Sequence, residues 1–457
     1  ALLYKRTAQS ALGWVAVCLI VPFAGPVMYL LFGLNRVRQR ARKLEAQRPT
    51  PDIEPGGGPS LEMTEHSPGN LQNRPSAAAI ARISDKVTQL PMVGANRIEQ
   101  LHNGESVYPA MLEAIENAEE RIFLSTYIFS TDETGKKIIN ALAAAAERGI
   151  VVRVIVDGFG ELYAWPRACT RLKKAGVPCA RFLPLKLIPI PMLHINLSTH
   201  RKMLLVDGDI GFTGGMNIGD VHLAEGRRKR KRVKDTHFRF EGAVVRQLEQ
   251  AFLEDWHFCA GEYIKPTQKA LITKGTAVCR TVADGPNEEI DKLATILVGA
   301  IATASRRVMI MTPYFLPSAE MVSAIQTSVL RGARVDIVLP SENNLPYIQW
   351  ACNNMLWELL YWGVNIYFQP PPFVHSKLFT VDEEYAQIGS ANLDPRSLKL
   401  NFELNVEIFE KDAVQGICTH IEERIAHSRR IYLKDIENRS FPVKVRDALM
   451  WLFSPYL

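Results

Sequence analysis

Two copies of one polar pattern, His-x-Lys-x-x-x-x-Asp, occur in this chain of 457 residues. The copies place a histidine, a lysine and an aspartate at the same spacing, as His200, Lys202 and Asp207 and again as His375, Lys377 and Asp382. An imidazole beside an ammonium suits reactions on an anion, because the lysine binds phosphate oxygens while the histidine attacks phosphorus or transfers a proton. A single His-x-Lys pair is commonly structural. Its duplication, with matching residues downstream, predicts a phosphate-handling site built from two half-sites.

Each motif is predicted to lie on a strand. Apolar runs, residues 203–206 and 378–381, follow the two lysines, and such runs are typical of buried strands. Side chains at i and i+2 share a face of a strand, so the histidine and lysine of each copy should project together. We include Asp207 and Asp382 in the catalytic motif, but their places at strand ends before turns favour a role in holding the turn.

A glycine-rich turn and an asparagine follow each motif. The two segments are Gly214-Gly215-Met216-Asn217 and Gly389-Ser390-Ala391-Asn392. Glycine permits close backbone approach, and Asn217 and Asn392 add hydrogen-bond donors for a bound phosphate. Gly215 stands where the second copy has Ser390, so the first half-site lacks one hydroxyl and the halves need not contribute equally.

A carboxylate completes each half in the sequence, Asp235 after His200 and Glu403 after His375. We expect each carboxylate to accept from the imidazole of its own half, which would fix the tautomer and stabilise the imidazolium. The spacing is longer in the first half, which we attribute to an inserted basic run, Arg227, Arg228, Lys229, Arg230, Lys231 and Arg232. Such a run is ordinarily a solvated surface, but beside a membrane each charge contributes about 1 kcal/mol toward anionic lipid.

The second motif and its continuation resemble bacterial cardiolipin synthases of the phospholipase D superfamily. The segments that carry the resemblance are residues 312–317, 375–377, 389–398 and 400–403. It extends from about Val93 to the C-terminus and includes the N-terminal membrane segment, although many superfamily members have Gly-Ser where this chain has Gly214-Gly215. The resemblance implies two phospholipase D-type halves, related by a pseudo-twofold axis, whose motifs meet at one central cleft.

The order of predicted elements supports two similar α/β halves. A strand, a helix and a second strand are predicted at residues 121–129, 135–148 and 151–156, and again at 307–315, 319–331 and 335–339. This alternation predicts largely parallel sheets. We divide the chain into an N-terminal membrane segment with a basic flank (1–43), a linker (44–92), a first half (93–262), a second half (263–440) and an amphipathic tail (441–457).

Composition agrees with a large folded protein that faces the cytoplasm. At 457 residues and 47% hydrophobic content the chain can bury two domain-sized cores. Its seven cysteines are scattered, odd in number and free of Cys-x-x-Cys spacing. This pattern predicts reduced thiols and argues against a disulfide framework or a zinc site.

Residues 11–34 carry no charge and would extend roughly 36 Å as a helix, enough to cross a bilayer. The arginines and lysine within residues 36–43 place the following catalytic region in the cytoplasm, at the bacterial inner membrane. Pro22 and Pro26 leave a hairpin or an interfacial helix open as alternatives. Because the chain starts at Ala1 without a methionine, we expect a further segment upstream.

Two apolar segments suggest lipid contact. Residues 182–197 are rich in leucine, isoleucine and proline, and form either packed core or a loop that enters the bilayer. Residues 443–457 resemble an interfacial amphipathic segment, with a helix docked on the domain as the alternative. The predicted partners are a membrane and anionic phospholipid (phosphatidylglycerol and cardiolipin), with no nucleic acid; a homodimer is left open.

The resemblance implies phosphatidyl transfer between two phosphatidylglycerol molecules, giving cardiolipin and glycerol through a covalent phosphohistidine, with no metal or other cofactor. His200 is the preferred nucleophile, His375 the acid and base, and the two lysines and two asparagines hold the phosphate oxygens. The alternatives are a hydrolytic phospholipase D or nuclease, and a lipid-binding membrane scaffold without catalysis. The sequence leaves the acceptor lipid open, including phosphatidylethanolamine.

Overall fold

The computed structural model describes residues 8–29, 71, 73–184, 197–225, 232–286 and 291–454. The predicted linker residues 44–70, most of the apolar segment 182–197 and the basic residues 227–231 lie outside these ranges. The helices are α1 (Ala8–Ile20), α2 (Ala24–Met28), α3 (Pro75–Thr88), α4 (Asn103–Glu116), α5 (Glu133–Glu147), α6 (Ala168–Lys174), α7 (Val244–Ala260), α8 (Lys292–Thr303), α9 (Ala319–Leu330), α10 (Pro346–Tyr361), α11 (Pro395–Lys399), α12 (Lys411–Ala426), α13 (Leu433–Glu437) and α14 (Phe441–Leu452).

The strands alternate with these helices along the chain. In order they are β1 (Val93–His102), β2 (Arg121–Thr126), β3 (Val151–Asp157), β4 (Cys179–Phe182), β5 (Met203–Val206), β6 (Ile210–Gly214), β7 (Val233–Lys234), β8 (Thr236–Glu241), β9 (Ala277–Asp284), β10 (Arg307–Met311), β11 (Arg334–Pro340), β12 (Asn365–Gln369), β13 (Phe373–Val374), β14 (Leu378–Val381), β15 (Tyr385–Gly389), β16 (Glu403–Ile408) and β17 (Arg429–Ile431).

One long sheet passes through both halves. Within the described ranges its order is β17-β12-β11-β10-β14-β15-β16-β9-β1-β8-β6-β5-β2-β3-β4, and β7 pairs separately with β13. Counted outward from the junction, the first half has the order β1-β8-β6-β5-β2-β3-β4 and the second half has the corresponding order β9-β16-β15-β14-β10-β11-β12. Strands β1 and β9 pair antiparallel where the halves meet. This arrangement confirms the prediction of two similar α/β halves, while the exact domain boundaries stay predictions.

The prediction of largely parallel sheets is wrong. Parallel pairing is confined to β2-β3-β4 and β10-β11-β12 in the long sheet. The motif strands β5 and β14 instead turn back sharply into β6 and β15 and pair antiparallel with them. The reason is the short connection after each strand, which permits only a hairpin, whereas a parallel crossover needs an intervening helix.

Helices cover both faces of the sheet. On one face α7 and α12 pack against side chains from both halves, including Phe123, Phe240, Met309 and Val406. On the other face, α4 to α6 cover the first half, and α3, α8, α9 and α10 cover the second. The sheet is therefore buried on both sides, which holds the loops at the junction of the halves in fixed positions.

Part of the predicted linker is a packed helix. Helix α3 buries Ala77, Ile80, Ala81 and Ser84, which recur at helical spacing, and it packs against α8 of the second half. The linker prediction is thus wrong for residues 75–88. Small residues conceal the apolar stripe in the sequence, because alanine and serine contribute little hydrophobicity yet permit close helix packing.

A buried ion pair contacts α3 and stabilises its packing against the second half. Glu407 and Arg280 are fully buried and lie 2.8 Å apart, and Glu407 also accepts from Ser84 (2.6 Å) and Tyr385 (2.7 Å). Arg280 also pairs with Asp85 of α3. The N-terminal helix is therefore an integral part of the second half, although it precedes the first half in the chain.

We expect Glu407→Ala to lower the free energy of unfolding by roughly 3–5 kcal/mol, because it leaves a buried guanidinium without its main partner. Chemical denaturation of the detergent-solubilised protein, followed by tryptophan fluorescence, measures the change. The control is Glu133→Gln, which breaks an exposed pair with Lys136 and should cost less than about 0.5 kcal/mol. Equal effects of the two substitutions would contradict the prediction.

The uncharged N-terminal segment is not one continuous helix. Helix α1 ends at Ile20, and α2 folds back so that the rings of Trp14 and Tyr29 lie 5.4 Å apart. Pro22 lacks the amide donor that would continue α1, and Phe23 adopts a left-handed φ of 68°. No helix within the described ranges has the length and apolar content needed to cross a bilayer.

The prediction of reduced thiols is wrong for one pair of cysteines. Cys169 on α6 and Cys179 on β4 form a disulfide, with their Cα atoms 5.5 Å apart. The five other cysteines are free. Spacing along the chain did not reveal the pair, because α6 and β4 become adjacent only when the helix packs against the sheet.

Helix α14 docks through its charged side. Asp447 is fully buried, pairs with Arg439 and Arg446, and faces α10, where Arg446 also lies over the Trp350 ring at 4.4 Å. The exposed side chains of α14 and its C-cap include Phe441, Val445, Leu449, Trp451, Leu452 and Phe453. The helix is thus docked on the domain while it presents an apolar face outward, which combines the two interpretations of the tail.

Candidate active site

The two motifs meet at the junction of the halves. Each motif histidine lies in an extended segment that leads into β5 or β14 and runs parallel to a segment of the other half. The His200 N–H donates to the carbonyl of Phe402, and the His375 N–H donates to the carbonyl of Lys234, both at 2.8 Å. Phe402 and Lys234 directly precede Glu403 and Asp235, the two predicted carboxylates.

The carboxylates are exchanged between the halves. His200 Nδ1 lies 3.0 Å from Glu403 Oε2, and His375 Nδ1 lies 3.0 Å from Asp235 Oδ2. The expectation that each carboxylate serves the histidine of its own half is therefore wrong. The reason is the parallel bridging across the junction, which sets each acid beside the opposite motif.

The two carboxylates have different surroundings. Glu403 accepts from Ser390 (2.5 Å), Asn401 (3.2 Å) and Ser397 as well as from His200. Asp235 accepts from the backbone N–H of Thr236 at 2.8 Å. The second half thus builds a denser set of donors around its acid than the first.

Gly215 is required by close packing. A Cβ atom at this position would lie 2.5 Å from Asp235 Oδ1 and 2.9 Å from the His375 carbonyl, well inside van der Waals contact. The equivalent Ser390 has room to donate to Glu403. The departure from Gly-Ser in the first half therefore accompanies the shorter aspartate, which approaches the backbone more closely than a glutamate would.

The lysines approach the two imidazoles differently. Lys377 Nζ lies 3.0 Å from both ring nitrogens of His375. Both lysines also donate to the backbone carbonyl of their own histidine, Lys377 at 2.6 Å and Lys202 at 2.7 Å, and Lys202 Nζ lies 5.5 Å from the centre of the Tyr127 ring. The lone pair on Nε2 of His200 is consequently less engaged than that of His375.

The motif aspartates lie at turns. Asp207 accepts backbone N–H groups from Glu119, Glu120 and Arg121 at 2.8–2.9 Å. Asp382 does the same for Ser305, Arg306 and Arg307, and Ser76 of α3 donates to it as well. Both carboxylates hold the start of a strand, as their positions at strand ends suggested.

The asparagines lie beside the motifs. Asn217 Oδ1 accepts the Ile128 N–H at 3.1 Å, which leaves its amide N–H groups for other acceptors. Asn392 is buried, and its backbone N–H donates to Ser397 at 2.8 Å. In the described part of the chain, no group of three or more histidine, cysteine, aspartate or glutamate side chains could hold a metal ion.

Burial sets the protonation of the catalytic groups. It lowers the pKa of His200 to about 4 and that of His375 to about 3, with Lys377 lowering the latter further. Both imidazoles are therefore neutral near pH 7. The pKa of Glu403 falls to about 2 despite burial, because the His200 imidazole favours its ionised form. The neutral imidazole then donates from Nδ1 and keeps its lone pair on Nε2.

The pKa values of the two lysines make their protonation sensitive to a bound anion. Burial lowers the pKa of Lys202 to about 7 and that of Lys377 to about 8. A phosphodiester placed between them would favour the charged ammonium form and would raise the pKa of a nearby imidazole as well. With substrate bound, the lysines would therefore hold their protons more firmly, and the site would take up from solvent the proton that His375 later gives to the leaving group.

Buried neutral histidines should make the protein sensitive to acid. Burial lowers the pKa of His222 to about 4 and that of His237 to about 3, as for His200 and His375. The unfolded chain gains these protons near pH 6.5, so it binds more protons than the folded state below that pH. We therefore expect the thermal unfolding midpoint to fall as the pH is lowered from 6.5 toward 4.

A comparison with His237→Phe tests this source of acid sensitivity. Phenylalanine has a similar shape and removes one buried group that titrates, so the midpoint should fall less steeply with decreasing pH. A pH dependence unchanged by the substitution would contradict the prediction.

A family model for cardiolipin synthase, PLD-like domain, matches residues 111–256 and 297–425, one match in each half. The chain belongs to this cardiolipin synthase family of phospholipase D-like proteins. A second family model, described as Phospholipase D-nuclease N-terminal, matches residues 1–33.

Relatives in the cardiolipin synthase family extend over the whole chain. A cardiolipin synthase of Geobacillus kaustophilus is 31% identical, with 100% of this chain and 90% of that protein covered. The major cardiolipin synthase ClsA of Bacillus subtilis is 30% identical, with 99% and 95% covered. The likeness therefore includes both motifs and the region before the first half.

Solved structures share the fold. The phosphatidylserine synthase of Haemophilus influenzae superposes with a TM-score of 0.64 at 15% identity, covering 83% of this chain and 100% of that chain. The polyphosphate kinase of Porphyromonas gingivalis gives a TM-score of 0.51 at 14% identity, covering 78% and 52%. At these identities the comparison establishes a shared fold.

Sequence reasoning missed several residues of the cardiolipin synthase-type site. The Tyr127 ring stands edge-on to His200 at 5.3 Å, and the Tyr314 ring stands edge-on to His375 at 6.3 Å. Buried Asp157 accepts from the N–H of Thr199, directly before His200. Tyr314 lies in a segment typical of the family and could have been noticed there. Tyr127 follows β2 and Asp157 is the last residue of β3, and neither carries a local signal.

Proposed function

We propose that this chain transfers a phosphatidyl group from one phosphatidylglycerol to another, forming cardiolipin and glycerol through a phosphohistidine. Membership of the cardiolipin synthase family makes it a phosphatidyltransferase. The observation that carries the mechanism is the pair of buried imidazoles, each held at Nδ1 by a carboxylate and accompanied by a lysine.

In the first step His200 Nε2 attacks the phosphorus of phosphatidylglycerol. A P–N bond forms, the P–O bond to the headgroup glycerol breaks, and His375 gives its proton to the departing oxygen. Glu403 stabilises the positive imidazole ring of the intermediate through Nδ1. His200 is the preferred nucleophile because Lys377 lies against the ring of His375, while Lys202 contacts the backbone rather than the ring of His200.

In the second step His375 takes the proton from the terminal hydroxyl of a second phosphatidylglycerol. The resulting oxygen attacks the phosphohistidine, the P–N bond breaks, and cardiolipin leaves with His200 restored. One phosphodiester replaces another, so the reaction is nearly balanced in energy and water must be kept from the intermediate.

Lys202, Lys377, Asn217 and Asn392 are assigned to the non-bridging phosphate oxygens, where their donors stabilise the additional charge of the transition state. Glu403, Asp235 and Ser390 position the imidazoles, and Gly215 gives Asp235 the space it needs. We assign no chemical step to Asp207 and Asp382, because backbone groups occupy their carboxylates.

Membrane contact is part of the proposal. Tyr127 connects His200 to Tyr163 (ring centres 6.5 Å apart), which is exposed together with Leu162 and Trp165. These side chains, the apolar face of α14 and the basic run 227–232 are the surfaces we assign to the lipid interface on the cytoplasmic side of the bacterial inner membrane. Aromatic residues favour that interface because one end of the ring is apolar and the other polar.

The product of the purified protein tests the proposal. Phosphatidylglycerol in mixed micelles should yield cardiolipin and glycerol, identified by mass spectrometry. Phosphatidic acid as the sole product would instead establish a hydrolytic phospholipase D, and the absence of turnover would indicate a lipid-binding scaffold. Adding phosphatidylethanolamine identifies the acceptor.

A further inference from the structure

A pocket of about 220 Å³ lies between the end of β1 and α12, behind the second motif. We call it the α12 pocket; Asp235, Thr236 and Ser376 line its buried end. Ser376 stands between His375 and Lys377 in the chain but contacts Thr236, at 3.0 Å between hydroxyls. The α12 pocket therefore reaches the motif from the side opposite to the paired imidazole and ammonium.

The walls of the α12 pocket are rich in nitrogen donors. The rings of His102 and His420 stack at 4.6 Å, and Arg424 and Lys234 line the same space. Two acids are also present in the lining. Asp235 is engaged by His375, and Glu423 lies 3.6 Å from Arg424.

Two buried polar atoms in the α12 pocket lack a partner among the described residues. They are Arg424 Nε and Gln369 Oε1. A buried donor without an acceptor is unfavourable, and more so when it is charged. Because a guanidinium forms paired hydrogen bonds with phosphate-like anions, the free Nε indicates a missing anionic acceptor.

The first half contains a corresponding pocket with different lining residues. A pocket of about 240 Å³, which we call the α7 pocket, lies behind the first motif. Where the α12 pocket has His102, Ser376 and Lys234, the corresponding strand and motif positions of the α7 pocket are Ala283, Arg201 and Phe402. From the covering helix, the α12 pocket takes His420 and Arg424 into its lining, and the α7 pocket takes Gln250 and Glu254 among others.

The α7 pocket supplies its own ion pair. Arg201 enters it and donates to Asp255 at 2.9 Å and to the carbonyls of Glu403 and Asp284 at 3.1 and 3.2 Å. In the α12 pocket the equivalent position is a small serine, so the basic residues surround an open space. The two pockets therefore differ in that Arg201 is fully engaged within the α7 pocket, whereas Arg424 in the α12 pocket has an Nε without a partner among the described residues.

We infer that the α12 pocket binds a phosphate-type anion, either inorganic phosphate or the phosphate of a polar headgroup. Arg424 forms the paired contacts, and His420 and His102 line the mouth. The ligand lies next to Asp235, so its occupancy is linked to the carboxylate that holds His375. This site is separate from the proposed transfer reaction and does not depend on it.

Calorimetric titration of the full chain in detergent with inorganic phosphate tests the site. The catalytic lysines also attract phosphate, so the native protein should show two classes of site. Arg424→Gln should weaken one class by about tenfold or more and leave the other. The control is Glu254→Gln, a helix residue in the lining of the α7 pocket, which should leave both classes unchanged.

A second pair of variants tests whether a loss of phosphate binding comes from the α12 pocket rather than from misfolding. His420→Ala changes the lining of the α12 pocket and Gln250→Ala changes that of the α7 pocket, and only the former should weaken phosphate binding. Thermal unfolding checks that each protein is folded. Unchanged affinity in both Arg424→Gln and His420→Ala would overturn the proposal, as would a single class of site in the native protein.

Glycerophosphoglycerol, the soluble headgroup of phosphatidylglycerol, distinguishes the two sources of phosphate. Competition with inorganic phosphate for the class that depends on Arg424 would identify a headgroup site. Binding of inorganic phosphate to that class without competition would identify free phosphate as the ligand.

Discussion

His200→Ala is expected to lower phosphatidyl transfer by roughly 10⁶-fold, the size of effect that follows removal of a covalent nucleophile. His375→Ala should lower it by roughly 10²–10⁴-fold, because proton transfer contributes less than the covalent bond. The two histidines can be separated with a phosphatidyl nitrophenol, whose leaving group departs without a proton. On that substrate His375→Ala should still form the phosphohistidine, whereas His200→Ala should not.

The measurements are nitrophenolate release in the first turnover and the position of a labelled phosphatidyl group in the digested protein. His427→Ala, which changes an exposed histidine after α12, serves as a control and should retain full activity. Label on the peptide that contains His375, or a burst of nitrophenolate from His200→Ala, would reverse the assignment of the two histidines.

Glu403→Gln is expected to lower turnover by roughly 10⁴-fold, as neutralising the carboxylate does in Ser-His-Asp sites. The glutamine amide would donate to Nδ1 of His200, so the ring would carry its proton on Nε2 and lose the lone pair that attacks phosphorus. Because the carboxylates are exchanged between the halves, the loss should appear with both phosphatidylglycerol and the nitrophenol substrate.

Asp235→Asn should behave differently, because Asp235 holds the acid His375 rather than the nucleophile. It should impair transfer from phosphatidylglycerol but retain most of the nitrophenolate burst. Ser390→Ala removes one donor to Glu403 while it leaves the His200 contact, and it should cost less than roughly tenfold. The opposite pattern for the two acid variants would indicate that each carboxylate serves the histidine of its own half.

Much of the site could be predicted because its residues are close in sequence. The His-x-Lys spacing and the apolar run behind it specify which side chains share a face, and local geometry alone sets that relation. The helix-to-strand order of both halves was predicted for the same reason, and β3 and β11 begin within one residue of the expected positions.

Contacts between distant segments could not be predicted in this way. The partner of His200 depends on how Phe402 pairs with Thr199 across the junction, and nothing in either segment encodes that pairing. Helix α3 was missed because Ala77 and Ala81 become informative only when α8 lies against them. Pro22 indicated a break in the N-terminal helix, but the direction of the following turn depends on packing between Trp14 and Tyr29.

The exchanged carboxylates also affect how the protein acquires activity during synthesis. Glu403 lies 203 positions after His200 in the chain, so a nascent first half contains the imidazole long before its carboxylate emerges from the ribosome. Neither half-site is complete until the halves have docked, and the second half also needs α3 from the region that was translated first. We therefore expect reactivity toward phospholipids only in the finished chain.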